Sequence, residues 1–231
     1  MRRTLVLVVS VATVLMFAVS PVAAATSQNL SWGVADDYQA NFTMDATNPE
    51  EDLSLHEGMY IIVTAAPPTI PNVITVWTQV PTVTVDMKWT NGTSIGLYAL
   101  LFIGLAAFGG RMVVPIGNWT LLTEVVKTTV GWNTSTAFTS NSAYWGMSLT
   151  ATSSGQRATI GALYLKSTGF LAKYTITVTN ATSSAQIFSF SVIQEGLPND
   201  LVVMIQDNIL LIGIGVGVVV ILGAVVCMKR K

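Results

Sequence analysis

The stretch Tyr164–Asn180, "YLKSTGFLAKYTITVTN", decides the fold class because apolar and polar side chains alternate along it. It predicts two strands joined by a tight turn at 167–169. In the second strand one face carries Phe170, Ala172, Tyr174, Ile176 and Val178, and the other carries Leu171, Lys173, Thr175, Thr177 and Thr179. Such period-two alternation is typical of a strand with one buried and one solvated face. The apolar face must therefore cover a core, a ligand or a partner.

The same alternation recurs along the chain and predicts a mainly β protein. We expect an antiparallel sheet or half-barrel of seven to nine strands with one packed helix. Strands are predicted at about 37–44, 59–67, 83–89, 143–151, 158–166, 170–179 and 186–193. The polar stretch 45–58 is rich in turn-forming residues and predicts a loop. A helix of about three turns is predicted after Pro115, with Asn118 as its N-cap.

The uncharged apolar run Ile95–Phe108 is harder to assign. A bilayer-spanning helix needs about 20 apolar residues, so this run is too short to cross a membrane. The alternative is that this run is a second transmembrane segment, which its length and the nearby Arg111 disfavour. The favoured prediction is a buried strand and its continuation.

The N-terminal residues 1–25 have the three parts of a secretory signal peptide. Arg2 and Arg3 precede the apolar segment Leu5–Val19, and Ala23–Ala25 supplies small residues for cleavage. The alternative is an uncleaved anchor helix, which Pro21 disfavours. The segment predicts export of the following domain, residues 26–194.

The C-terminal residues predict a membrane anchor after a linker at 195–208. Ile209–Met228 contains no charge and has the length of a transmembrane helix, so membrane lipid is an expected partner. Lys229, Arg230 and Lys231 follow at once and predict a cytoplasmic tail, because positive charge stays inside. Gly213 and Gly217 form a GxxxG motif, which favours a helix–helix contact but is frequent in such helices anyway. The predicted topology is single-pass with the ectodomain extracellular.

The charge content narrows the class of partner. Of 231 residues, 51% are hydrophobic and only 10% are charged. Between the two terminal segments, six basic and twelve acidic residues give a net charge of −6. Nucleic acids and anionic membrane surfaces select for positive patches, so neither is an expected partner.

Six N-glycosylation sequons lie in the predicted ectodomain. They begin at Asn29, Asn41, Asn91, Asn118, Asn133 and Asn180. Each is a candidate site for a surface glycan in an exported protein. The alternative is that a threonine-rich β surface produces sequons by chance, and Asn118 and Asn180 also suit a helix cap or a turn.

Side chains for catalysis or for cofactors are scarce. The chain has one histidine, His56, and one cysteine, Cys227, which excludes the usual zinc spacings. His56 is predicted to lie in a loop near Asp52 and Glu57, with no nucleophile motif nearby. The acidic residues Asp45, Glu50, Glu51, Asp52 and Glu57 match no calcium-loop spacing and predict a solvated loop. No enzymatic activity, cofactor or metal is expected.

Several stretches together resemble a known family. They are "WGVADDYQANFTM" at 32–44, "VTVDMKWTNGT" at 83–93, "VVPIGNWTLLTEVV" at 113–126 and "LYLKSTGFLAKYTITVTN" at 163–180. They resemble the choice-of-anchor S domain surface proteins of archaea, particularly of the Asgard group. The resemblance implies an exported domain whose anchor varies, here a transmembrane helix, and it implies no functional residue. The strand–turn–strand step also resembles the half-barrels of bacterial lipoprotein carriers, in which a helix covers a bound lipid.

Two functions follow as expectations. The first is an anchored, glycosylated surface protein that acts through contact, in a structural, adhesive or partner-binding role. The alternative is a carrier or sensor that holds an apolar ligand between the helix and the sheet, using Ile95–Phe108 and the apolar face of 170–178. A carrier needs a cavity of roughly 300–1,000 Å³, which a packed core does not leave.

Overall fold

The structure is a computed structural model that describes residues 28–129 and 132–199. The predicted signal peptide at 1–25, the transmembrane helix at 209–228, the tail at 229–231 and the linker residues 200–208 lie outside these residues. Within the described ranges, no helix is both long enough and apolar enough to span a membrane.

In the part of the chain that the structure describes, eight antiparallel strands form one open sheet. They are β1 (Gln39–Asn48), β2 (Leu53–Val63), β3 (Val85–Trp89), β4 (Thr136–Ser140), β5 (Tyr144–Ser153), β6 (Gln156–Leu165), β7 (Leu171–Asn180) and β8 (Gln186–Gln194). Their order across the sheet is β3-β2-β1-β8-β7-β6-β5-β4, so β3 and β4 are the edge strands. The prediction of a mainly β, antiparallel fold is confirmed.

Most strands lie where the alternation predicts them, but the region 45–58 and strand β4 differ from the prediction. The predicted loop at 45–58 is wrong, because β1 and β2 form a hairpin through this region with a turn at 49–52. Strand β4 was not predicted, since its sequence "TAFTS" is short and carries little apolar alternation. It pairs with β5 and places Phe138 opposite Met147.

The stretch Tyr164–Asn180 contains a β-bulge, which changes the face on which some of its side chains lie. The register shifts between the pairs Leu163–Lys173 and Tyr164–Leu171, which leaves Ala172 as an extra residue. Leu171 consequently joins the main core, while Ala172 packs in a small cluster that also contains Tyr144 and Leu165. The predicted apolar face is therefore right at Tyr174 and wrong at Ala172.

The apolar run is a helix rather than a strand. Gly96–Phe108 forms a 3₁₀ helix of 13 residues, so the predicted buried strand is wrong. The run has no period-two pattern, and both of its ends require glycine. Gly96 has φ 57° and Gly109 has φ 84°, which is left-handed backbone that favours glycine. Runs of 3₁₀ helix longer than about four residues are uncommon, so this length depends on tertiary packing.

The predicted helix after Pro115 is confirmed as α1 (Trp119–Val126), although it is shorter than expected. The Asn118 side chain accepts a hydrogen bond from the Leu121 amide (3.0 Å) and caps the helix as predicted. The residues that α1 buries are Leu122, Val125 and Val126.

The main core lies on one face of the sheet. The 3₁₀ helix and α1 cover this inner face, whose largest buried side chains include Trp145, Tyr164 and Tyr174. The outer face is mostly polar, because hydroxyl side chains occupy the alternate positions of several strands. Thr150 and Thr159, for example, are hydrogen bonded across β5 and β6 (3.1 Å).

The sheet has two ends that matter for orientation. We call the end where β8 finishes the base end, and the end with the β1–β2, β5–β6 and β7–β8 turns the distal end. After β8 the chain packs onto the base end. The Glu195 amide donates to the Asn41 carbonyl (2.8 Å), and the Tyr144 hydroxyl donates to the Pro198 carbonyl (3.1 Å). The first residues of the predicted linker are thus packed against the sheet.

Candidate functional site

The 3₁₀ helix carries a stripe of large aliphatic side chains exposed to solvent. With three residues per turn, every third side chain falls on the same side. Leu97, Leu100 and Ile103 are 83%, 59% and 65% exposed, and we call them the aliphatic ridge. Phe102 and Leu105 belong to the opposite stripe and are 6% and 2% exposed. The ridge therefore contributes little to the core of this domain.

Close contacts hold the buried side of the helix against the sheet. The Phe102 ring stacks on Tyr174 at a centroid distance of 5.7 Å and meets Phe190 edge-on at 5.9 Å. The Tyr174 hydroxyl donates to the Leu101 carbonyl (3.2 Å). A Cβ atom at Gly104 would stand 2.2 Å from that hydroxyl, so only glycine allows this approach. These contacts fix the position of the helix, and therefore of the ridge, on the sheet.

An apolar groove of about 450 Å³ runs beside the ridge. Its walls are apolar side chains of the helix and of β1, β2 and β8: Ala46, Leu53, Leu55, Leu97, Tyr98, Leu100, Leu101 and Phe188. We call this the apolar groove, and it lies near the distal end, where β2 begins and β1 finishes. The predicted lining by the 170–178 face is wrong, because Phe102 fills the space over Tyr174. Leu53 and Leu55 were missed because 45–58 was predicted to be a loop.

The surroundings of the groove carry negative charge. Glu50, Glu51 and Asp52 are exposed in the turn just before Leu53. Glu57 is exposed on the same side of β2 as Leu55, since side chains two apart on a strand share a face. No charged residue occurs between Lys88 and Arg111, and Lys88 pairs with Asp86 at 3.3 Å. The site is therefore an apolar surface with an acidic border.

His56 lies on β2 rather than in a loop, so its predicted position is wrong. Its Nδ1 contacts the Asp45 carboxylate at 2.5 Å across the β1–β2 pair. The hydrogen bond to Asp45, together with its negative charge, raises the pKa of His56. On the other side, Asp45 pairs with Ser191 of β8, so the carboxylate stands between the histidine and this serine. A Ser-His-Asp triad needs the histidine in the middle, and this row does not provide that order.

The acidic residues near the β1–β2 turn do not converge. Within the described residues, no group of three histidine, cysteine or carboxylate side chains is placed to hold a metal ion. Asp45 contacts His56, and Glu57 lies on the opposite face of the hairpin. These side chains act on the site through their charge.

Two buried tyrosines on the inner face fulfil structural roles. The Tyr164 hydroxyl donates to the Arg111 carbonyl (2.8 Å), and burial raises the pKa of Tyr164 well above its usual range. Burial also raises the pKa of Tyr174 to about 12. Burial lowers the pKa of Arg111, whose guanidinium donates to the Val80 carbonyl (2.8 Å). These groups are donors that fix the loops and the 3₁₀ helix over the sheet.

The six sequon asparagines have different surroundings. Five are exposed, namely Asn29, Asn41, Asn91, Asn133 and Asn180. Asn118 is half-buried, and besides capping α1 it donates from Nδ2 to the Gln28 carbonyl (3.0 Å). A glycan at Asn118 would compete with this bond, so the exposed five are the better candidates for glycans.

Comparison with known proteins adds no assignment. No protein-family model matches the chain, and no curated protein matches it.

Proposed function

We propose that this chain is a membrane-anchored extracellular protein that acts by contact, binding a partner protein through the aliphatic ridge and the apolar groove. The observation that carries the proposal is the ridge itself. Three large aliphatic side chains of one helix face solvent next to an apolar groove. Contiguous exposed apolar surface is typical of sites that bind proteins or ligands.

The chemistry of the partner follows from the groove and its border. Aliphatic side chains would enter the groove, because its walls offer them apolar contacts. Basic side chains next to them would face Glu51, Asp52 and Glu57. The partner we propose is a protein segment with aliphatic residues flanked by lysine or arginine.

The position of the groove favours a partner away from the anchoring membrane. The proposed anchor follows the base end, whereas the groove is lined by Leu53 and Leu55 near the distal end. A ten-residue strand such as β1 spans roughly 33 Å at about 3.3 Å per residue. The chain's own bilayer is thus a poor occupant, whereas a protein of the same or a facing surface is within reach.

Photo-crosslinking on intact cells tests the proposal. A photoreactive residue replaces Leu100 in the full chain, and the matched control carries it at Thr152, exposed on the outer face. We expect a protein adduct from position 100 and none from position 152. Replacing Glu51, Asp52 and Glu57 by their amides should reduce the adduct at least threefold. Equal adducts from both positions, or none from position 100, would overturn the proposal.

A second candidate is the carrier of an apolar ligand, and the volume of the groove favours it specifically. About 450 Å³ falls within the usual range for ligand pockets, roughly 300–1,000 Å³. In this version the sheet is a half-barrel and the 3₁₀ helix covers the ligand at its side, as the resemblance to lipoprotein carriers implies. Native mass spectrometry of the full chain released from its membrane distinguishes the two. A lipid retained by wild type and lost on Leu55→Gln would favour the carrier.

Export and anchoring belong to the same proposal. The N-terminal and C-terminal segments support it, as does the resemblance to choice-of-anchor S domain proteins. Protease added to intact cells should remove the domain at 26–194, and protection of that domain would contradict the topology.

A further inference from the structure

The two edge strands of the sheet differ in how they are covered. Along β3, the chain folds back on the free side. The Trp89 amide donates to the Thr93 carbonyl (2.8 Å), and Lys88 forms an isolated bridge with Ser94. Asp86 and Lys88 also place charges on this edge. The covering segment and the charges both prevent another strand from pairing with β3.

Within the described residues, strand β4 has neither a covering segment on its free side nor a charged residue. Its sequence "TAFTS" carries no charge and no proline. It pairs with β5 on one side, and within the described residues no other segment pairs along its free side. Ala137, Thr139 and Ser140 are exposed. An uncharged edge of this kind is a template for a strand from another chain.

A sequon lies directly beside this edge. Asn133 is exposed and precedes the first residue of β4 by three positions. The Thr136 amide donates to the Asn133 carbonyl (3.1 Å), so a tight turn joins the sequon to the strand. The Ser135 amide donates to the Asn133 side-chain oxygen (2.8 Å), which holds the side-chain amide at the start of β4. A sugar on this amide therefore begins at the start of β4, the edge strand.

We infer that an N-glycan on Asn133 covers the β4 edge and keeps it from pairing with the β4 edge of a second copy. The inference rests on the proposed extracellular location, which exposes the sequon to glycosylation. A second copy is the strand donor that fits best, because an antiparallel β4–β4 pair centred on Phe138 places Thr136 opposite Ser140 and brings no like charges together. A bulky, hydrated glycan at one end of each strand excludes this approach.

The experiment measures self-association of the full chain in detergent micelles by sedimentation equilibrium, with sequon occupancy read by mass spectrometry. Asn133→Gln and Ser135→Ala both remove the sequon, whereas Ser135→Thr keeps it. Asn91→Gln removes the sequon beside the covered β3 edge and is the matched control. Any association through the anchor is common to all variants, so the differences report on the ectodomain.

We expect Asn133→Gln and Ser135→Ala to associate at least tenfold more tightly than wild type, and Ser135→Thr and Asn91→Gln to behave like wild type. Adding Thr139→Lys to Asn133→Gln should restore the wild-type mass, because a lysine on an edge strand opposes pairing. Unchanged association of Asn133→Gln would overturn the inference, as would an unmodified Asn133 beside other occupied sequons. If no sequon were occupied, the glycosylated surface location would fail as well, so the two failures are distinguishable.

Discussion

The 3₁₀ helix presents two stripes built from the same kinds of residue, and they differ in what they contact. Phe102, Leu105 and Phe108 are buried against the sheet, whereas Leu97, Leu100 and Ile103 face solvent. Composition alone does not distinguish them, because the whole segment is apolar and uncharged. The buried stripe holds the helix in place, whereas the exposed stripe contributes little to the core and is the surface that we propose for partner binding.

The largest expected effect separates the two stripes directly. Phe102→Ala should lower the free energy of unfolding by about 3–5 kcal/mol, because it leaves a cavity between Tyr174 and Phe190. Ile103→Ala, at the next position, should change it by less than about 0.5 kcal/mol, as is usual for an exposed side chain. Denaturant unfolding of the full chain in micelles, followed by tryptophan fluorescence, measures both. Similar losses for the two variants would mean that the ridge is part of the core.

The next effect tests how closely the helix approaches the sheet. Gly104→Ala should cost about 1–3 kcal/mol, because the new methyl group overlaps the Tyr174 hydroxyl. Tyr174→Phe alone should cost about 1 kcal/mol through the lost hydrogen bond to the Leu101 carbonyl. In the double variant the methyl group has room, so the combined loss should be smaller than the sum. Strict additivity would show that the helix moves aside instead.

Alkaline pH should weaken the contact between Tyr174 and the 3₁₀ helix and so lower the stability of the fold. Burial raises the pKa of Tyr174 to about 12 in the folded protein, against about 10 for an unfolded tyrosine. The contribution of the protonated Tyr174 to the free energy of unfolding is therefore complete below about pH 10. It is lost as pH rises from about 10 to 12, because the tyrosine of the unfolded chain releases its proton first. Unfolding midpoints between pH 9 and 12 should fall less steeply in Tyr174→Phe than in wild type. Parallel curves would assign the alkaline loss to other groups.

The contrast between the strands and the helix shows what local pattern can predict. Strands β5–β8 were predicted because alternating residues and turn residues recur along them. Gly96–Phe108 was predicted wrongly because every side chain in it is apolar or glycine, apart from Tyr98, so neither a two-residue nor a 3.6-residue period is visible. Its three-residue period appears only in which side chains are buried and which are exposed, and tertiary packing determines that pattern.

The candidate site was predictable only in part. The sequence predicts the segment that forms the ridge as a candidate for binding an apolar ligand, but it predicts the facing wall on β7 instead of on β1, β2 and β8. Two causes explain this error. The polar, acidic turn at 49–52 gives the β1–β2 hairpin the composition of a loop. The β-bulge at Ala172 contains no glycine, so no residue in the sequence indicates it. The groove also depends on strand side chains more than 40 positions away from the helix side chains that they face, and no single-sequence pattern reports such contacts.

A smaller effect distinguishes capping from glycosylation at Asn118. Asn118→Ala should cost about 1 kcal/mol, because the Leu121 amide loses its acceptor. Thr120→Val removes the same sequon but leaves the cap intact, so it is the matched control and should leave stability unchanged. Chemical denaturation of both variants gives the comparison. A loss for Thr120→Val equal to that for Asn118→Ala would indicate that a glycan, and not the cap, supplies the stability.

The smallest effect lies on the outer face, far from both stripes, and serves as a reference for them. Asp45 raises the pKa of His56 above its ordinary value of about 6.5, so the pair stabilises the fold most fully below that pH. The contribution is lost as pH rises through the folded pKa, because the neutral imidazole no longer attracts the carboxylate. His56→Gln should therefore lower stability only slightly at pH 5.5, as is usual for exposed pairs, and should have no effect at pH 9. A larger loss, or one that persists at pH 9, would mean that His56 supports the β1–β2 wall of the groove through packing, and the division between structural and binding surfaces would then have to include this hairpin.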